Sequence, residues 1–89
     1  MLTRPHESGV GVVFVNGYGV WSLWVRDTGT AGAVYRVRMS LDDYDALGIH
    51  EYQRVQLRLP GGDEASLYLR GRRENPPFVW LEFGFDVRR

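Results

Sequence analysis

Three stretches of this chain alternate apolar and polar residues, with arginine prominent among the polar ones: Tyr35-Arg36-Val37-Arg38-Met39, Arg54-Val55-Gln56-Leu57-Arg58-Leu59 and Leu67-Tyr68-Leu69-Arg70. A period of two marks a strand with one face buried and one in water. Repeated three times, it predicts an antiparallel β fold whose arginines point outward.

Asn16-Gly17 separates two further apolar runs, Val10 to Val15 and Tyr18 to Arg26. This dipeptide satisfies a two-residue hairpin turn that needs positive φ at both central positions. The turn fixes a register of Val15 with Tyr18, Val13 with Val20 and Gly11 with Ser22. It places Val13, Val15, Tyr18, Val20 and Trp24 on one face and Val10, Val12, Phe14, Trp21, Leu23 and Val25 on the other. Both faces are apolar, and neither can stay in water without leaving a large patch. A second sheet, a helix or another copy of the chain must cover the second face. For so small a domain a symmetric dimer is expected, with Val13, Tyr18, Val20, Trp21 and Trp24 as the self-association residues.

Asp27 to Gly32 has loop composition, and Ala33 to Met39 follows as a third strand. Ser40 then offers a helix N-cap, Asp42 and Asp43 favour the first turn, and Gly48 terminates the helix. Leu41, Tyr44 and Leu47 recur at helical spacing, and Met39 and Tyr44 are placed to staple the helix entry, so a short helix over 41–47 should plug one end of a barrel or sheet. In the next hairpin Val55, Leu57 and Leu59 must share a face with Ala65, Leu67 and Leu69. A three-residue loop, Gly61-Gly62-Asp63, meets that condition and predicts Leu59 opposite Ala65, Leu57 opposite Leu67 and Val55 opposite Leu69. The outer pairs become Arg58 with Ser66, Gln56 with Tyr68 and Arg54 with Arg70. Gly71 to Pro77 reads as a loop stiffened by Pro76-Pro77. The last strand sends Val79, Leu81, Phe83, Phe85 and Val87 inward and Phe78, Trp80, Glu82 and Asp86 outward. The expected fold is mainly β, a small antiparallel β-barrel or two-layer sheet in the order β-β-β-α-β-β-β.

With 89 residues, 44% hydrophobic and 25% charged, the chain has the profile of one soluble globular domain. Residues 1–8 read as a flexible lead-in and 9–89 as the domain. The amino terminus lacks the apolar core of a signal peptide, and no apolar run approaches the roughly 20 residues of a membrane helix, which makes the cytoplasm the expected location. The formal net charge is zero, so no overall field draws the chain to nucleic acid or membrane. All eleven basic residues are arginine.

Several chemistries are excluded. Without cysteine there is no disulfide, thiolate metal site or cysteine nucleophile, and without lysine there is no P-loop. His6 and His50 have no evident catalytic partner. The serines lie in no nucleophile-elbow pattern. Asp42, Asp43 and Asp45 lack the spacing of a calcium loop and read as the solvated face of the helix. No cofactor or metal site is expected. An enzyme built on a cleft carboxylate such as Glu51 or Asp27 would need polar groups converging from distant strands.

The richest constellation is the outer face of the last three strands, where Arg54, Arg58 and Arg70 share a side with Tyr68, Phe78 and Trp80, and Arg72 and Arg73 lie in the adjoining loop. Guanidinium groups beside aromatic faces bind phosphates while bases stack, and the same pairing is enriched at protein interfaces. The near-neutral pI and the nearby Glu74, Glu82 and Asp86 favour a protein contact. The expectation is a non-catalytic binding or assembly module that forms a homodimer or other homo-oligomer. The alternative is a single-stranded nucleic-acid binder using the arginine-aromatic face.

Overall fold

Asn16 and Gly17 both take positive φ, 51° and 82°, and the computed structural model builds its first hairpin on them. It describes residues 6–29 and 32–85. Strand β1 (His6–Val15) and strand β2 (Tyr18–Gly29) pair in the register set by that turn, with Val15 opposite Tyr18, Val13 opposite Val20 and Gly11 opposite Ser22. β1 begins at His6, ahead of Gly9, because Glu7 pairs with Arg26 across the ladder and ion-pairs with it at 2.6 Å. Residues 1–5 of the expected lead-in lie outside the described residues.

β2 and strand β3 (Gly32–Ser40) take over most of the loop expected at residues 27–32, since Asp27 of β2 already faces Val34. Helix α1 (Leu41–Leu47) follows at once. Ser40 Oγ accepts a bond from the Asp43 backbone N–H at 3.0 Å, and Gly48 closes the helix at φ 65°. Leu41, Tyr44 and Leu47 pack onto the barrel core, joined by the buried Ile49 that follows the helix. Ile49 carries no periodic signal in the sequence, and its burial comes from the loop folding back under α1.

Strand β4 (Arg54–Arg58) and strand β5 (Glu64–Asn75) keep the expected faces but not the expected partners. Leu57 faces Ala65, Val55 faces Leu67, and outside Arg54 faces Tyr68, Gln56 faces Ser66 and Arg58 faces Glu64. The slip is two residues, so parity survives. Its cause is Pro60, which has no N–H for a ladder and suits the second place of a turn. Leu59 accepts from the Gly62 N–H at 3.2 Å and donates to the Asp63 carbonyl at 2.8 Å, with Gly61 at φ 97°. The turn is therefore Pro60-Gly61-Gly62.

β5 also runs through Gly71 to Asn75, where a loop was expected. A bulge between Leu69 and Gly71 shifts its register against strand β6 (Phe78–Gly84), and the turn shortens to Pro76-Pro77, whose peptide bond is cis. Val79, Leu81 and Phe83 are buried as expected. Phe85 is instead 50% exposed, because the strand ends at Gly84 and the alternation lapses with it. Asp86 and Val87 lie outside the described residues.

The strands form a closed barrel in the order β1-β2-β3-β6-β5-β4. The β3–β6 contact joins strands distant in sequence, which hairpin reasoning does not supply. The final seam, β1 with β4, has only two paired positions, Phe14 with Arg58 and Val15 with Leu57. Asn16 extends it: its N–H donates to the Gln56 carbonyl at 2.8 Å, and its Oδ1 accepts from the Gln56 N–H at 2.8 Å. Below the seam Pro60 lies on Gly11, whose absent Cβ would sit 2.6 Å from Pro60 Cγ. Arg26, already bound to Glu7, also reaches Asp63 in the β4–β5 turn. Partial burial works against the Arg26 charge, but Asp63 and Glu7 outweigh it and raise its pKa above the ordinary arginine value.

Asn16 thus serves the turn and the seam, and two substitutions separate the roles. Asn16→Gly keeps positive φ and loses the Oδ1 bond, for an expected loss of about 1 kcal/mol. Asn16→Ala loses the same bond and keeps a Cβ in the left-handed region without the polar side chain that lets asparagine tolerate it, and should lose about 1 kcal/mol more. Urea unfolding midpoints of the two variants should fall in that order.

Candidate binding surfaces

On the outer face of the first hairpin Phe14, Leu23 and Val25 are half-buried, and among the described residues nothing covers Val10, Val12 and Trp21. Val10 is 56% exposed, Val12 41% and Trp21 67%, with Tyr18 exposed at the hairpin mouth. Val10 faces Leu23 and Val12 faces Trp21 across the ladder, while Phe14 faces Gly19 and carries the Arg58 guanidinium 4.3 Å above its ring. The other face is the barrel interior. Val13 and Val20 are fully buried there, and Trp24 packs on the same core with its indole over Gly9. These three of the five expected self-association residues are therefore core, because the closed barrel itself covers the face they share. Trp21 and Tyr18 alone among the five are free for contact.

The arginine-aromatic residues do not form one patch. Arg54 lies 5.6 Å from the Tyr68 ring centroid and bonds Ser66 Oγ through Nε at 2.7 Å. Arg58 turns to β1 and Phe14. Arg70, at the bulge, folds over the backbone of Gly84, leaves Nε buried without a hydrogen bond, and stands 3.9 Å from Glu82. Its side chain is structural, since Gly84 gives it the room to lie flat. Past the bulge, Arg72 faces Leu81 and Arg73 faces Trp80, so the two arginines point to opposite sides of β5. Arg72 covers the Tyr44 ring of α1 at 5.5 Å and pairs with Glu74 at 2.7 Å.

A second cluster forms where β3 meets β6, and the sequence reading missed it. Arg38 faces Trp80 and lies 4.3 Å over the Phe78 ring, while Arg73 flanks Trp80 from β5. Beside them an open groove of about 560 Å³ crosses the sheet, lined by Val25, Arg36, Gly71, Arg73, Trp80 and Glu82 among others. Arg36 is engaged by Asp27 at 2.7 Å. Arg73 has no ion pair or hydrogen bond among the described residues. Arg36 and Arg38 were visible in the sequence as outward residues, but only the β3–β6 pairing sets them beside Trp80.

The groove can hold a flat ring against Trp80 with an anionic group at Arg73. Among the described residues its one carboxylate, Glu82, has Arg70 beside it and no histidine or hydroxyl partner. His50 and Glu51 border a separate hollow with Tyr44, Asp45 and Arg72, where the His50 N–H bonds Gln53 Oε1 at 2.9 Å. Among the described residues no three acidic or histidine side chains gather as metal ligands. Among the described residues no helix is long and apolar enough to cross a membrane. No protein-family model, curated protein or solved structure matches the chain.

Two glycines give opposite outcomes on substitution. A Cβ on Gly71 meets nothing within 4 Å, so Gly71→Leu should fill the groove and change stability by less than about 0.5 kcal/mol. Gly11→Ala drives a methyl into Pro60 and should cost about 1–3 kcal/mol. Thermal unfolding of both variants reads the difference.

Proposed function

We propose that the chain is a non-catalytic binding and assembly module that self-associates through the outer face of the β1–β2 hairpin. The observation that carries this reading is the exposed apolar face of Val10, Val12 and Trp21, in a domain whose other hairpin face is given to the core through Val13, Val15, Val20 and Trp24. Exposed apolar patches of this kind mark contact sites, and a small barrel gains stability by burying one. The zero net charge adds no long-range repulsion between copies.

A second reading rests on the groove. Arg73, unpaired among the described residues and beside Trp80, offers a phosphate contact next to a stacking surface, the combination that holds single-stranded nucleic acid. The carboxylates of Glu74 and Glu82 nearby weaken that field, which ranks it second.

Light scattering over a concentration series tests the first reading, which expects a dimer or larger assembly. Trp21→Glu should then give a folded monomer, whereas Val13→Glu should unfold the chain by placing a charge in the core. A wild-type monomer at all concentrations overturns the assembly reading. For the second, a fluorescently labelled oligothymidylate should bind at low salt, weaken as salt rises, and lose affinity on Arg73→Ala or Trp80→Ala. Absence of binding at low salt removes it.

A further inference from the structure

β1 is ten residues long, yet β4 pairs only with its last two. Alternate residues of a paired strand send their N–H and C=O groups to opposite sides. In β1, Val15, Val13, Gly11 and Gly9 direct theirs to β2, because Val15 and Tyr18 close a two-residue turn as a hydrogen-bonded pair. Ser8, Val10 and Val12 direct theirs away from β2. The bonds from Asn16 to Gln56 on the β4 side agree with this phase. Among the described residues no backbone partner meets Ser8, Val10 or Val12 on that side. The barrel is closed, but among the described residues β1 keeps an open edge below its seam.

Native edges of this kind are defended by charges, proline or bulges. The stretch that would pair, Ser8 to Val12, carries no such defence in its own sequence: it contains no charged residue and no proline, and Glu7 just before it has its carboxylate held by Arg26. We propose that β1 pairs edge to edge, antiparallel, with β1 of a second copy of this chain, about a two-fold axis at Val10. The proposal rests on the assembly reading above and specifies how the copies meet.

Self-pairing fits the strand on both faces. With Val10 of one copy beside Val10 of the other, Ser8 falls opposite Val12, and the pairing stays inside the uncharged segment. On the outer face the two apolar hairpin surfaces then become continuous, through Val10 and Val12 to Trp21. On the inner face Gly9 falls opposite Gly11. The added strand thus brings no side chain against the Pro60 turn that already lies on Gly11. Glycine at both inner positions keeps side chains away from the Pro60 turn, and a second copy supplies those glycines on both strands.

Amide hydrogen exchange on the wild-type chain is the primary test. Ser8, Val10 and Val12 should slow at least about tenfold between dilute and concentrated protein, whereas Gly11 and Val13, bonded to β2, should be protected throughout. Because the chain has no cysteine, Val10→Cys and Trp21→Cys add an independent measure. Under mild oxidation Val10→Cys should give disulfide-linked dimers far faster than Trp21→Cys. If the wild type assembles while those amides stay fast, or if only Trp21→Cys cross-links, the copies meet face to face; the edge proposal then fails and the assembly reading stands. A wild type that remains monomeric overturns both.

Discussion

Closing a six-strand sheet whose first and last-placed strands share only two residue pairs is the constraint around which the molecule is arranged. The ladder there is too short to hold by itself, and three unlike devices complete it. Asn16 supplies backbone and side-chain bonds to Gln56 at the top. Pro60 fills the space left by Gly11 further down, and Arg26 links Glu7 to Asp63 at the base. Each draws on residues that turn or strand chemistry already placed, so closure adds few further sequence requirements. The buried set from Val13 to Phe83 can be continuous because this seam shuts out water.

What the sequence made legible follows the range of the physics involved. The Asn16-Gly17 turn, the inward and outward parity of the strands as far as Leu69 and from Phe78 to Phe83, and the Ser40 to Gly48 helix depend on neighbours a few residues apart, and each is found where the pattern put it. The β4–β5 partners slipped by two because parity cannot distinguish registers that differ by an even number, and Pro60 decided between them. The extension of β5 was hidden because Gly71 to Asn75 holds no apolar alternation, its inner face ending where the core ends. The β3–β6 contact was out of reach, since nothing local to either strand names the other.

The candidate surfaces repeat this division. Apolar exposure on the first hairpin was half legible: both faces could be listed, but which of them faced the interior needed the closed barrel. The arginine-aromatic group was legible as a composition and not as a place. Folding disperses it, sending Arg58 to Phe14, Arg70 to Gly84, Arg72 to Tyr44 and Arg73 to Trp80, and it recruits Arg38 from a strand outside the expected set. An arginine over an aromatic ring covers it as readily as it awaits a ligand. Arg73, with no such engagement, stands apart from the others.

The bulge between Leu69 and Gly71 behaves like a frameshift written into side-chain direction. Upstream of it, odd-numbered residues of β5 lie on the core side of the sheet; downstream, even-numbered ones do, so Arg72 covers Tyr44 of α1 at one border of the groove and Arg73 stands beside Trp80. One residue gained or lost there would exchange those two destinations while leaving Val55, Leu67 and Leu69 in place. The composition of the outer wall is therefore under the control of chain length at a single point, and the barrel can change what it displays without rebuilding what it buries.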